Sequence, residues 1–236
     1  MSDIRFGFPV PNWTPPPRPG PAAIEGRHVT LERLDPAAHA AELFHANSAD
    51  DAIWDYLPYG PFHDPAAYRD FLAGMAEKTD PFFYVLRDKT TGLASGVASF
   101  LRIDPNAGSI EVGHICLSPS IQRTPAATEA MALMMGWAFE AGYRRYEWKC
   151  DAANHPSRRA AGRLGLSWEG IFRQAAVVKG RNRDTAWFAA IDKEWPALKV
   201  AFDRWLDPAN FDATGRQKLA LTDLMRPILV AEDPAG

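Results

Sequence analysis

Residues 109–142 read SIEVGHICLSPSIQRTPAATEAMALMMGWAFEAG, and this stretch decides how the rest of the chain is read. Ile110, Val112 and Ile115 suit a strand over residues 109–117, with Gly113 a bulge position. Thr124 is a good N-cap, Pro125 suits the first helical turn and Gly142 is a good stop, so a long helix is predicted over residues 124–141. A helix start exposes unpaired N–H groups and the positive end of a dipole, which suits a pyrophosphate. Ala126 and Ala127 are small enough for phosphates to approach the backbone, and Gln122, Arg123, Thr124 and Thr128 offer donors. The same residues also describe a plain capped helix packed on a sheet.

Upstream, residues 24–34 alternate as a first strand, and Asp35-Pro36 and Asp64-Pro65 each read as a helix start. Strands follow over residues 82–87 and 96–103. The turn cluster Asp104-Pro105-Asn106-Ala107-Gly108 makes the second of these an antiparallel hairpin with residues 109–117. Downstream come a strand over residues 146–150 and a short helix over residues 156–164 stopped by Gly165. A hairpin of residues 171–178 and 184–191 and a terminal helix over residues 195–206 complete the pattern. The order β-α-α-β-β-β-α-β-α-β-β-α implies a mixed α/β sheet flanked by helices.

Residues 1–23 hold seven prolines and are extended, either as a disordered tail or as an arm lying across the domain or a partner. Phe6, Phe8 and Trp13 favour the arm, since a solvated tail seldom carries three aromatics. Three segments result: the arm at 1–23, a domain at 24–206 and a tail at 207–236. The arm and tail read as interface material, so a homodimer is expected. A net charge of −3 argues against general nucleic-acid binding, which needs a basic surface. No stretch has the apolar length of a membrane span, and the N-terminus lacks a signal-peptide pattern. Cys116 and Cys150 belong to no metal-ligand cluster, so neither a zinc site nor a disulfide framework is expected, and a reducing cytoplasm fits.

Five stretches together resemble the GNAT acetyltransferase superfamily, and within it the RimJ/RimL-type branch. They are Gly26-Arg27-His28-Val29-Thr30-Leu31, Glu111-Val112-Gly113, Gln122 onward to Ala130, Asn154-His155-Pro156-Ser157-Arg158-Arg159, and Leu164-Gly165-Leu166 where the family has Leu-Gly-Phe. The resemblance spans residues 24–192. It implies the GNAT acyl-CoA N-acyltransferase fold, with a mixed, mostly antiparallel sheet. It implies acetyl transfer from acetyl-CoA to a primary amine in a ternary complex, without a metal. The alternative is a non-catalytic CoA-binding or structural protein that kept the fold. By the same resemblance Cys116, Leu117 and Ser118 offer strand backbone to the pantetheine, while Gln122, Arg123, Thr124, Pro125, Ala126, Ala127 and Thr128 hold the pyrophosphate. Asn154 bonds the pantetheine arm or caps the helix, or both, Ser157 donates to the leaving thiolate, and Arg158, Arg159 and Arg163 reach the adenosine phosphates or form a solvated helix face. The family loop is Gln/Arg-x-x-Gly-x-Gly/Ala. Pro125 stands at the glycine and removes one amide donor, leaving Arg123 to supply charge.

Aminolysis needs a base to take a proton from an ammonium. Glu111, eleven residues before Gln122, is the preferred base, as in some family members, against the reading of an ordinary surface carboxylate. His114 is second, and strand alternation puts it on the other face unless Gly113 bulges. An acyl-enzyme at Cys116 has no activating neighbour in the sequence. Trp54, Tyr56, Tyr59 and Phe62 either line the acceptor pocket or belong to the core. The candidate acceptors are the N-terminal amine of a protein, a free amino acid, a polyamine and an aminoglycoside-like amine.

Overall fold

The computed structural model describes residues 7–235; residues 1–6, which include the arm's Phe6, and residue 236 lie outside the described residues. Eight strands form one sheet in the order β1-β2-β3-β4-β5-β6-β8-β7. They are β1 (Ala23–Glu25), β2 (Val29–Arg33), β3 (Phe82–Asp88), β4 (Ala94–Asp104), β5 (Ser109–Leu117), β6 (Arg145–Asp151), β7 (Ser167–Val178) and β8 (Arg181–Ile191). Among the described residues only β5 and β6 are parallel neighbours, joined by the crossover helix α3 (Pro125–Glu140). The expected mixed, mostly antiparallel sheet is therefore observed.

Helices α1 (Pro36–Asn47) and α2 (Pro65–Ala76) start at Asp35 and Asp64, whose carboxylates cap Ala37 and Ala66. They cover one sheet face, where Leu43, Leu72, Phe83, Val85, Val97 and Cys116 are buried. The other face, with Val112, Trp148 and Phe188, carries α3 and α5 (Trp195–Leu206). Alternation along β4 divides the two cores: Val97 faces one, Ala98 and Phe100 the other.

The first strand departs from expectation by breaking at Gly26-Arg27-His28. Glu129, in the first turns of α3, accepts the backbone N–H groups of Arg27, His28 and Val29 at 2.9, 2.6 and 3.0 Å. Any Cβ at Gly26 would collide with that carboxylate, so the bend and its glycine serve one contact. The late hairpin also starts earlier than expected, at Ser167, and turns tightly at Lys179-Gly180.

The described segments before β1 and after α5 both pack on the domain. The proline-rich segment is anchored where Trp13 Nε1 donates to Asn106 O, and where the Tyr143 and Tyr84 hydroxyls donate to Pro17 O and Pro21 O. After α5 comes a short helix, α6 (Leu221–Met225), not anticipated from sequence, whose Leu221 and Met225 are buried in the larger core. Among the described residues, no helix is long and apolar enough to cross a membrane.

Candidate active site

The β5–β6 ladder runs from Ser109 opposite Arg145 to Val112 opposite Trp148 and stops there. Both strands continue, to Leu117 and Asp151, without pairing further. The sheet forks at this point, and residues 113–117 present backbone edge to a gap. A cleft of about 780 Å³ fills the fork. The turn between β6 and α4 (His155–Arg163) lies beside it, and the β7–β8 hairpin and the segment around Tyr56 form its walls.

A bulge shapes the β5 side. Val97 pairs with Cys116 but Ser99 with Gly113, so β5 has one residue more than β4, and His114 has φ 50°. The bulge lies at His114, beside the glycine singled out from sequence. It brings Glu111 and His114 into the same cleft.

Glu111 is almost fully buried. Its carboxylate accepts Arg102 Nη1 at 2.8 and 2.7 Å and pairs with Lys149 Nζ at 2.9 Å. Lys149 is itself buried, bonds Glu147 at 2.7 Å and lies 3.8 Å from the Trp187 ring centre. His114 stacks on Tyr59, whose hydroxyl is 3.0 Å from Nδ1. Burial, then the positive charges of Arg102 and Lys78, lower its pKa to about 4, so the ring is neutral at neutral pH. Burial holds the Tyr59 phenol far above its ordinary pKa. With Tyr59 as donor to Nδ1, the ring proton is on Nε2 and no ring lone pair is free for a base role.

Of the three strand residues given to the pantetheine, only Leu117 lines the cleft. Cys116 faces the α1–α2 core because the bulge resets the alternation. Burial raises its thiol pKa to about 12, which leaves an acyl-cysteine route without a nucleophile. Ser118 is fully buried, and both its N–H and its hydroxyl donate to Ser95 O, at 3.0 and 2.6 Å. Ser118 therefore has no donor left for a pantetheine, whereas the backbone of Cys116 stays on the unpaired edge of β5 and only its side chain turns away.

At the start of α3 several expected donors are already occupied. Thr124 Oγ1 accepts Ala127 N and donates to Ile121 O. Thr128 N donates to Thr124 O, and Thr128 Oγ1 accepts both Arg163 Nη groups. Pro125 has no N–H, so among the described residues Ala126 N–H is the one amide of this first turn without a protein partner. Gln122 lines the cleft and bonds Leu117 O, while Arg123 is exposed at φ 61° in the turn before the helix.

Asn154 and Ser157 both line the cleft. Asn154 Oδ1 caps Ser157 N at 3.1 Å, and Trp148 Nε1 donates to Ser157 Oγ at 3.0 Å, leaving the Ser157 hydroxyl proton unassigned. Arg158 is not a phosphate reader in this structure. It is buried and held by Asp233 of the C-terminal segment at 2.7 and 2.5 Å. Of the four early aromatics, Tyr56 lines the cleft, whereas Trp54, Tyr59 and Phe62 pack in the α1–α2 core.

Sequence reasoning missed Arg102, Lys149 and Arg183. The signal for Lys149 was present: in β6 the charged Arg145, Glu147, Lys149 and Asp151 alternate with buried Tyr146, Trp148 and Cys150. Among the described residues, no group of three His, Cys, Asp or Glu side chains is placed to hold a metal ion.

Comparison with known proteins agrees with this architecture. A family profile described as "Acetyltransferase (GNAT) domain" matches residues 28–167. A GCN5-related N-acetyltransferase from Brucella melitensis, known from its crystal structure, is 47% identical with a TM-score of 0.90, over 92% of this chain and 100% of that one. The uncharacterized N-acetyltransferase YnaD of Bacillus subtilis is 23% identical, over 71% of this chain and 99% of its own. The microcin C7 self-immunity acetyltransferase MccE, solved with acetyl-CoA and AMP, shares the fold at 20% identity and a TM-score of 0.65, over 73% of this chain and 97% of its own.

Proposed function

Because this chain belongs to the GNAT acetyltransferase family, we propose that it transfers an acetyl group from acetyl-CoA to a primary amine by direct attack in a ternary complex. The fork carries the reading: a strand edge without a partner among the described residues, closed at its apex by the buried Glu111 and flanked by a helix start. The same motifs support placement in the RimJ/RimL-type branch.

The residues present fit acetyl-CoA. The free edge at residues 113–117 suits the amides of a pantetheine arm, and Ala126 N–H with Arg123 suits its pyrophosphate. Bound acetyl-CoA would supply an activated thioester. Forming the N–C bond breaks the C–S bond, the nitrogen loses a proton, and the departing thiolate needs one. We assign the first proton to Glu111 through a water, since Arg102 and Lys149 occupy its oxygens directly. We assign the second to Ser157, whose oxygen accepts from Trp148; its hydroxyl passes its proton to the thiolate and regains one from solvent.

Pro125 and the ion-paired Glu111 favour the competing reading, a CoA-binding protein without turnover. Calorimetry with acetyl-CoA and a CoA-thiol release assay over amine acceptors separate the two. Binding and turnover are expected. Binding without turnover of any amine would leave only the competing reading, and absence of binding would defeat both.

A further inference from the structure

Arg102 stands in a conformation that an ordinary strand residue avoids. It has φ 46°, in a second bulge where β4 takes three steps from Leu101 to Asp104 while β5 takes two, from Glu111 to Ser109. A positive φ on a long side chain is unfavourable, and such strain persists where surrounding bonds enforce it. Here Asp80 enforces it: Oδ1 accepts Arg102 N at 2.9 Å and Oδ2 accepts Ile103 N at 3.0 Å. The result is a guanidinium at the cleft, its side chain 62% exposed, with only Nη1 used on Glu111. Among the described residues, Nε and Nη2 have no acceptor. A bent strand, its backbone fixed by Asp80, thus presents an arginine fork beside the proposed base.

The charges around it narrow what can enter. Arg102, Lys149 and Arg183 line the cleft against Glu111 and Asp151. A polyamine would bring several positive charges to three cations. An α-amino acid carries the opposite pattern. Its nitrogen and carboxyl carbon are about 2.5 Å apart from standard bond lengths. Glu111 and Arg102 are themselves in contact at 2.7 Å, so an amine one water away from Glu111 leaves its own carboxylate within reach of the Arg102 fork. Two bonds tie the Tyr56 wall to the neighbouring walls, Tyr56 Oη to Ala153 O at 3.1 Å and Lys179 Nζ to Trp54 O at 2.9 Å, and walls fixed in this way suit a small acceptor better than the terminus of a folded protein.

We propose that the acceptor is a free α-amino acid, and that Arg102 reads its carboxylate while the α-amine is acetylated. This rests on the acetyltransferase reading of the same site. The chemistry balances as above: the amino nitrogen gains the acetyl carbon, CoA leaves as the thiol, and the carboxylate is unchanged.

The test is thiol release, with product mass, over free α-amino acids, their matched carboxamides, a polyamine and a short peptide with an acidic second residue. We expect at least one amino acid to be turned over with kcat/KM about tenfold or more above its carboxamide, the scale of one charge-assisted bond. Arg102→Gln should bring that acid-to-amide ratio close to one, chiefly through KM for the acid, and Arg102→Lys should restore part of it. The ratio is internal to each variant, so a general loss of folded enzyme does not imitate the effect. Equal acid and amide, a ratio that survives in Arg102→Gln, or preference for polyamine or peptide would each overturn the proposal. So would amino acids that stay inert while acetyl-CoA binds. A protein that binds no acetyl-CoA would instead defeat the acetyltransferase reading, and this proposal with it.

Discussion

At the scale of single residues, Glu111 holds two jobs that a substitution can separate. Its ion pairs tie β4, β5 and β6 together, and its place at the fork makes it the proposed base. Glu111→Gln keeps the shape, leaves Lys149 with Glu147 and leaves Arg102 solvated. We expect kcat to fall by roughly 10²–10⁴-fold, the usual worth of a positioned base, with little change in the calorimetric affinity for acetyl-CoA. Retained turnover would reduce Glu111 to a structural ion-pair partner. His114 gives a prediction on pH. Its folded pKa of about 4 lies below the ordinary 6.5 because burial disfavours its charge, so the unfolded chain binds the extra proton first. Stability should rise with pH between those values and be lost as pH falls through them. Urea unfolding at pH 7 and pH 5 should show a difference that shrinks in His114→Gln; an unchanged difference would move its origin elsewhere. Neither His114's place beside Glu111 nor the aim of Arg102 was legible in the sequence. Both depend on bulges, which are set by pairing between strands, and Gly113 marked only the neighbourhood of one.

At the scale of elements, Asp35, Asp64 and Thr124, each followed by proline, announced their helices because caps act locally. The split of the first strand did not show, since its cause is Glu129, about a hundred residues away. The start of α3 shows the same limit. Its residue types promised a row of donors, but Thr124 Oγ1 and Thr124 O take Ala127 N and Thr128 N. Restoring one donor should therefore be felt. Pro125→Gly adds an N–H beside that of Ala126, and acetyl-CoA should bind severalfold more tightly, in line with about 1 kcal/mol for one added hydrogen bond. The same change gives the unfolded chain more freedom and should lower stability by roughly 1 kcal/mol. Calorimetry and urea unfolding of the variant check both. Weaker binding would mean that the pyrophosphate is held elsewhere than at this helix start.

At the scale of the whole molecule, the C-terminal segment holds the helix whose start lines the cleft. Arg158 follows Ser157 in the helix that carries both cleft residues at its start. It is held by Asp233 and by its own bond to Ala152 O, so α4 is fixed between the end of β6 and the chain terminus. Ser167 Oγ and Ala231 O add backbone contacts between the terminus and the start of β7. The side chains of Arg158 and Asp233 are 6% and 5% exposed, so truncating one leaves the other charge buried without its counterion. Asp233→Ala should cost about 3–5 kcal/mol, whereas Arg158→Met with Asp233→Ala should cost less than the single change, because the stranded charge is gone. Urea unfolding of the two single variants and the double variant gives the coupling. If Arg158 instead read a phosphate of acetyl-CoA, Arg158→Met would raise KM for acetyl-CoA far more than Asp233→Ala does. The buried pair predicts instead that each single variant, which leaves one charge stranded, disturbs Asn154 and Ser157 more than the double variant does.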